Sequence, residues 1–323
     1  RFAPPYRSLC ELAAARGQLL EALDFCKQYL ARAPRSVPGW CRLADLEVRA
    51  HRYASALRDA EHALQLDPAC PQANLIAGLL HERRSEGTPA LDQLARAAAA
   101  YPQDARVLRA YGRVLALTQH YDQAIPALRQ AVAREPARAE AYRWLGYAYA
   151  RLPATPQNDR QAETNFQQAL RLWPRYPEAN FEMARFYLNR GQAARAQPYA
   201  DRAVQLRKHY QQALYVRWRI ALALARPEDA ARFQKQFQRE SYLASRRAEL
   251  LSRYKLDPTS LSTALALART LQALDEKALA AHYLLETLQH HPDDPRLSAA
   301  LDSLTNGSRP EGIRRNAERN AQQ

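Results

Sequence analysis

Four cysteines, Cys10, Cys26, Cys41 and Cys70, fall within the first 70 of 323 residues. Sulfur chemistry there is either metal ligation or disulfide formation. No CxxC or CxxCH is present, so the spacing fits no zinc or haem site. An even number clustered at one end points to disulfides, hence to the periplasm or the cell exterior. The alternative is a cytoplasmic chain whose thiols act as small buried hydrophobes. The eight histidines (His51, His62, His81, His120, His209, His282, His290 and His291) are dispersed. None forms HExxH or stands at metal spacing from a cysteine, and GxSxG, P-loop and GxGxxG patterns are missing. Carboxylates are plentiful, but no pattern pairs two of them in a pocket. The expectation is a chain with no catalytic residues, no metal and no cofactor.

The other conspicuous chemistry is positive charge. The net charge is +14, carried by 42 arginines and only 5 lysines. It is uneven: residues 103–255 hold 27 basic and 13 acidic residues, while 1–102 and 256–323 come to +2 and −2. Arginine offers a planar fork to carboxylates, phosphates and sulfates, and it stacks on aromatic rings. A preference for arginine on solvated faces would produce the same composition. A composition of 47% hydrophobic and 25% charged residues suits a folded chain. No apolar run reaches the roughly 18 residues a membrane-spanning helix needs. The chain begins on Arg1; a removed leader or a trimmed end is expected to account for that.

The elements that must position these groups are legible from the prolines. Pro34, Pro68, Pro102 and Pro136 stand 34 residues apart. The residues ahead of each recur at the same offsets. The second unit reads Trp40, Leu43, Ala44, Tyr53, Ala56, Ala60, Ala63, Pro68; the fourth reads Leu108, Tyr111, Gly112, Leu115, Tyr121, Ala124, Leu128, Ala131, Pro136. Apolar residues at helical spacing, such as Leu261, Leu265, Ala268, Leu271 and Leu274, mark the helices. Proline ends the second helix of a unit because it cannot continue one. Only 9 glycines leave little for tight strand turns or phosphate loops.

This 34-residue helix–turn–helix resembles the tetratricopeptide repeat. The fifth unit is the nearest match, with Tyr142, Leu145, Gly146, Tyr149, Ala162, Phe166, Ala169 and Pro174, and it needs four extra residues within 151–160. Eight units are counted: the first about 4–34, the sixth 177–208 with Lys208 at the proline position, the seventh from about 211, the eighth about 261–292. The expected fold is all-α: a tetratricopeptide-repeat superhelical solenoid of antiparallel helix pairs over 1–304. An elongated helix is expected at about 227–255 and a C-terminal capping helix at 293–304. Residues 305–323 are expected to form a polar tail.

What the resemblance implies is a concave groove lined by the first helix of each unit. Its groove positions would hold Arg109, Arg113, Arg143, Arg185 and Arg219, with Arg269 further on and Tyr147, Phe181 and Tyr215 among them. In the same geometry Cys10 and Cys26 would touch within unit one. A bridge between Cys41 and Cys70, on neighbouring helices, is a further candidate. The leading expectation is a non-catalytic interaction scaffold of a bacterial cell-envelope or secreted type, its basic groove holding an acidic peptide, an acidic protein or an anionic glycan. One alternative is a structural subunit of a surface assembly or filament, with self-association through the long helix and tail. Another is the repeat region of a larger enzyme. Nucleic acid is disfavoured as partner: no RRM, KH, zinc-finger or helix-turn-helix signature is present, nor a per-repeat reading code.

Overall fold

The computed structural model describes residues 4–305, and these form seventeen α-helices and no strand. The helices run as eight pairs and a cap. Numbered in chain order, the pairs are α1 (Pro4–Ala15) with α2 (Leu19–Arg32), α3 (Val37–Arg49) with α4 (Tyr53–Leu66), and α5 (Pro71–Arg83) with α6 (Gly87–Ala100). Next come α7 (Ala105–Leu117) with α8 (Tyr121–Arg134), α9 (Ala139–Arg151) with α10 (Pro156–Leu172), and α11 (Pro177–Asn189) with α12 (Ala193–Leu206). The series ends with α13 (Gln211–Ala223) and α14 (Pro227–Leu256), α15 (Leu261–Ala273) and α16 (Lys277–Leu288), and the single α17 (Pro295–Thr305). The tail expected beyond Thr305 lies outside the described residues. Two compact units, 1–186 and 187–323, divide the chain, with the boundary inside α11. Odd-numbered helices up to α15 are called A helices below, and their partners B helices.

Local chemistry sets the ends. At A-helix N-termini, the Ser36 side chain accepts from the Gly39 N–H, and Asp104 accepts from the N–H groups of Arg106 and Val107. At A-helix C-termini one residue turns left-handed: Gly17, His51, Ser85, Gln119, Gly191, Ala225 and Asp275 all have positive φ. The following N–H then closes back on the helix, as from Arg52 to the Glu47 carbonyl (2.8 Å), His120 to Leu115 (2.8 Å) and Arg226 to Ala221 (3.0 Å). A Cβ in that conformation costs roughly 1–2 kcal/mol. Ala225 bears the cost without a polar side chain to offset it. Ala225→Gly is therefore expected to raise stability by about 0.5–1 kcal/mol, after the greater freedom of glycine in the unfolded chain is subtracted. Ala231→Gly, on the exposed interior of α14, is expected to cost about 1 kcal/mol. Urea midpoints of the two variants check the contrast in sign.

Helix pairs meet where one small residue faces another side chain sixteen positions on: Cys10 and Cys26, Ala44 and Ala60, Gly78 and Leu94, Gly112 and Leu128, Ala268 and Leu284. All of these are buried. A methyl built on Gly112 would stand 2.6 Å from Leu128 Cγ, so the helix axes are as close as glycine permits. In the fifth pair the partners are Gly146 and Phe166, twenty apart. The four extra residues become one more residue in the turn, 152–155 against three in 118–120, and three more in α10, which has 17 residues against 14 in α8. No left-handed residue ends α9; Leu152 is extended instead.

The helix α14 has 30 residues where α4, α6, α8 and α12 have 14. Its first half serves α13: Phe233 packs with Ala221 and Trp218, Phe237 stacks on Trp218, and Glu240 accepts from His209 (2.9 Å). Its second half serves the last helices. Leu250 and Tyr254 join a core with Leu267, Leu271, Leu284, Leu297 and Leu301, and the Tyr254 hydroxyl meets Thr287 Oγ1 at 3.1 Å. Between Phe233 and Leu250 only Glu240 is buried. Among the described residues no helix is long and apolar enough to cross a membrane.

Candidate functional site

Within the first unit, α3, α5, α7 and α9 lie side by side and form one face of A helices. Arg109 and Arg113 project from α7 one turn apart. Arg113 donates to Glu82 of α5 (2.9 Å) and to Glu140 of α9 (3.2 Å). Arg109 reaches Glu135 (3.0 Å) and Glu140 (3.5 Å). Two arginines are thus shared among three carboxylates from neighbouring repeats, and this pair brings no net positive charge to the face. The network walls a pocket of about 340 Å³ whose floor is Val48, Leu75, Ile76 and Leu79, with Asp45 and Arg106 at its edge.

Farther along the same unit lies a second group of arginines, set among aromatic rings. Arg143, Tyr147 and Arg151 follow at four-residue spacing on α9 and so share a face. On α11, Arg185 stands four residues after Phe181 and three after Glu182, within reach of both. Arg143 is buried: its guanidinium lies 4.1 Å from the Trp144 ring centroid, and its Nε donates to the Tyr176 hydroxyl at 2.8 Å. Arg185 pairs with Glu182 and lies 5.2 Å from the Phe181 ring and 5.3 Å from Tyr147. Exposed Arg151 lies 5.0 Å from that same Tyr147 ring and has no carboxylate partner among the described residues. Tyr121 of α8 closes one side, 6.4 Å from Tyr147. Burial pushes the Glu182 carboxyl above its ordinary range, while Arg185, Arg143 and Arg151 pull it back. Burial, then nearby Tyr147, raises the Tyr121 phenol. The Trp144 Nε1–H is buried without an acceptor.

Of the aromatic residues expected in a groove, Phe181 is buried beneath Arg185 and Tyr147 is half-buried. In the second unit Tyr215 is 39% exposed, rests on Trp218 and Phe237, and accepts from Arg219 at 3.1 Å. Arg269 of α15 is exposed and has no ion pair among the described residues. Sequence reasoning missed Arg151, Tyr121, Trp144 and Glu182. The Arg143–Tyr147–Arg151 spacing was the available signal for the first, hidden because Arg151 is the last residue of α9, next to the lengthened turn.

At the N-terminal end the sulfurs of Cys10 and Cys26 are at bonding distance, with Cα atoms 5.2 Å apart. Cys41 and Cys70 are buried thiols whose sulfurs are 3.5 Å apart. Burial, then the neighbouring Cys70, pushes the Cys41 thiol up to about 12. Among the described residues no three His, Cys, Asp or Glu side chains gather where they could hold a metal ion.

A sequence profile of the tetratricopeptide repeat matches residues 41–105, 112–157 and 160–210. No curated protein matches the sequence. Among solved structures, PilW, a widely conserved type IV pilus biogenesis factor, aligns with a TM-score of 0.54 at 23% identity, covering 62% of this chain and 92% of its own. A tetratricopeptide-repeat protein of Parabacteroides merdae aligns with a TM-score of 0.55 at 18% identity, covering 73% of this chain and 93% of its own. At such identities the likeness is one of fold.

Proposed function

The chain belongs to the tetratricopeptide-repeat family, and we propose that it is a non-catalytic scaffold holding an acidic protein segment on the α9–α11 face of its first unit. Repeats of this kind are protein-interaction scaffolds, so the open question is which face and which chemistry. The observation that carries the reading is the ring of Tyr147 with Arg151 and Arg185 both on it, and three arginines for the one carboxylate of Glu182. Glu140 and Glu178 also act on Tyr176, the partner of Arg143, so the cation left without a carboxylate is exposed Arg151, beside aromatic surface. A carboxylate docked on Arg151 gains charge-assisted hydrogen bonds without displacing an acid already paired with that side chain. Arg109 and Arg113 differ, since an incoming acid would compete with Glu82, Glu135 and Glu140. Their part in the proposal is to shape the apolar pocket beside the site.

The setting we propose is the bacterial cell envelope or exterior. Supporting it is the position of Cys10 and Cys26, their sulfurs at bonding distance where α1 and α2 approach closely.

The test is fluorescence anisotropy with a labelled synthetic peptide of Asp, Glu and Tyr residues, and with heparin as competitor. Arg151→Glu is expected to weaken peptide binding at least about tenfold, the equivalent of 1.4 kcal/mol. Arg109→Ala is expected to change it by less than about threefold. Raising salt should weaken binding by the native chain more than by the variant. Equal binding by the native chain and Arg151→Glu would remove the site. Heparin bound far more tightly than peptide, and lost in the same variant, would make the partner a glycan.

A further inference from the structure

Cys41 and Cys70 share a small buried cluster with Ala63 and Ala73, covered by Val37, Trp40 and Leu64. Cys41 belongs to α3, whereas Cys70 is the N-cap residue of α5. Positions 36, 70 and 104 are equivalent, 34 residues apart. Ser36 and Asp104 cap their helices with side-chain oxygens, and Cys70 makes no side-chain cap bond. A serine at position 70 would supply that bond. The chain forgoes it and places sulfur there instead, 3.5 Å from a second sulfur.

We propose that Cys41 and Cys70 are a disulfide site, closed by a disulfide donor into a bridge that ties the second repeat to the third. Closure needs the sulfurs to approach by only about 1.5 Å, to the usual bond length of about 2.05 Å. The oxidant is an external disulfide, RSSR, either a small-molecule disulfide or a disulfide-donating oxidoreductase. One cysteine thiolate attacks a donor sulfur, forming a mixed disulfide and releasing one RS⁻. The second thiolate attacks the cysteine sulfur of that intermediate and releases the other RS⁻. Two thiol protons leave as two RSH; the pair is oxidised by two electrons and the donor reduced by two. Cys41 is held as the thiol by burial, so exchange proceeds while the chain is folding or locally open. The bridge pins α3 to α5. Val48 of α3 and Leu75 and Leu79 of α5 floor the pocket beside Arg109, so the bond fixes the width of that pocket. The inference rests on the envelope setting proposed above, in which the chain meets a disulfide donor.

The experiment refolds the full chain in a mixture of reduced and oxidised glutathione, traps remaining thiols by alkylation in denaturant, and maps peptides by mass spectrometry. The expected product has no alkylated cysteine, a mass four hydrogens below the reduced chain, and linked peptides joining Cys10 to Cys26 and Cys41 to Cys70. Amide exchange across α3 and α5 should be at least about tenfold slower than in the reduced chain and in the Cys41→Ala, Cys70→Ala double variant. A Cys10–Cys26 link with Cys41 and Cys70 both alkylated would overturn this inference and leave the setting standing. Four alkylated cysteines would overturn both. Any exchanged pairing, such as Cys10 with Cys41, also counts against it.

Discussion

Phe166→Ala is expected to lower the stability of the first unit by about 3–5 kcal/mol, and Phe166→Leu by only about 1 kcal/mol. Phe166 is fully buried and lies over Gly146, at the close approach of α9 and α10. Truncation to alanine leaves a ring-sized void against a backbone that cannot collapse into it. Gly146→Ala is the reverse error: its methyl would stand 2.7 Å from Phe166 Cδ1 and is expected to cost about 1–3 kcal/mol. The eighth repeat already uses alanine against leucine at this place, as Ala268 and Leu284. The double change Gly146→Ala with Phe166→Leu should therefore cost less than its two parts by at least about 0.5 kcal/mol. Urea unfolding of the four chains measures the coupling; strictly additive costs would refute it. Arg143, Tyr147 and Arg151 ride on α9, so the alanine variant should also lose acidic-peptide binding.

Glu47→Gln is expected to stabilise the chain by about 2 kcal/mol at pH 8 and to have little effect at pH 4. Glu47 is 3% exposed on α3, and Asp59 of α4 faces it. Burial, then Asp59, raises its carboxyl to about 7, against the weaker opposite pull of Lys27 and Arg52. Asp59 is likewise raised by burial, opposed first by its hydrogen bond with Glu47 and then by Arg58, Lys27 and His62. The native state therefore holds a proton that the unfolded state releases near 4.5. Below that pH both states are protonated and no cost arises. From about pH 4.5 to 7 only the unfolded state has released the proton, so stability falls as pH rises. Above 7 the full cost remains. Glutamine has no proton to lose, so its advantage should grow across that window and then level off. Thermal melts of both chains from pH 4 to 8 test this, and an advantage independent of pH would exclude Glu47 as its source.

The fold was legible because its signals are local and repeated. Proline at 34-residue intervals closes B helices, and small residues recur where helices touch. The placement of charge was less legible because it is settled between repeats. Glu82 and Glu140 stand 31 residues before and 27 after Arg113, separations that become neighbouring only once A helices are laid side by side. Arg143 reads from sequence as a groove cation, yet Tyr176, 33 residues on, offers its hydroxyl and draws the guanidinium into the core. The left-handed turns at His51, Ser85, Gln119, Ala225 and Asp275 carry no sequence mark at all, because tertiary packing overrides the usual preference for glycine there.

The length of α14 also sets how the C-terminal end comes apart. Sixteen additional residues add about 24 Å of helix. In the first unit each of α3, α5 and α7 touches the next A helix, whereas among the described residues α13 and α15 do not pack side by side. Cooperativity in a repeat array is the sum of such neighbour contacts. At this junction a single stretch of helix transmits all of it, with Phe233 and Glu240 committed to one side and Leu250 and Tyr254 to the other. The helices α15 to α17 lean on the second half of α14, so their opening would leave the contacts of α13 with the first half in place.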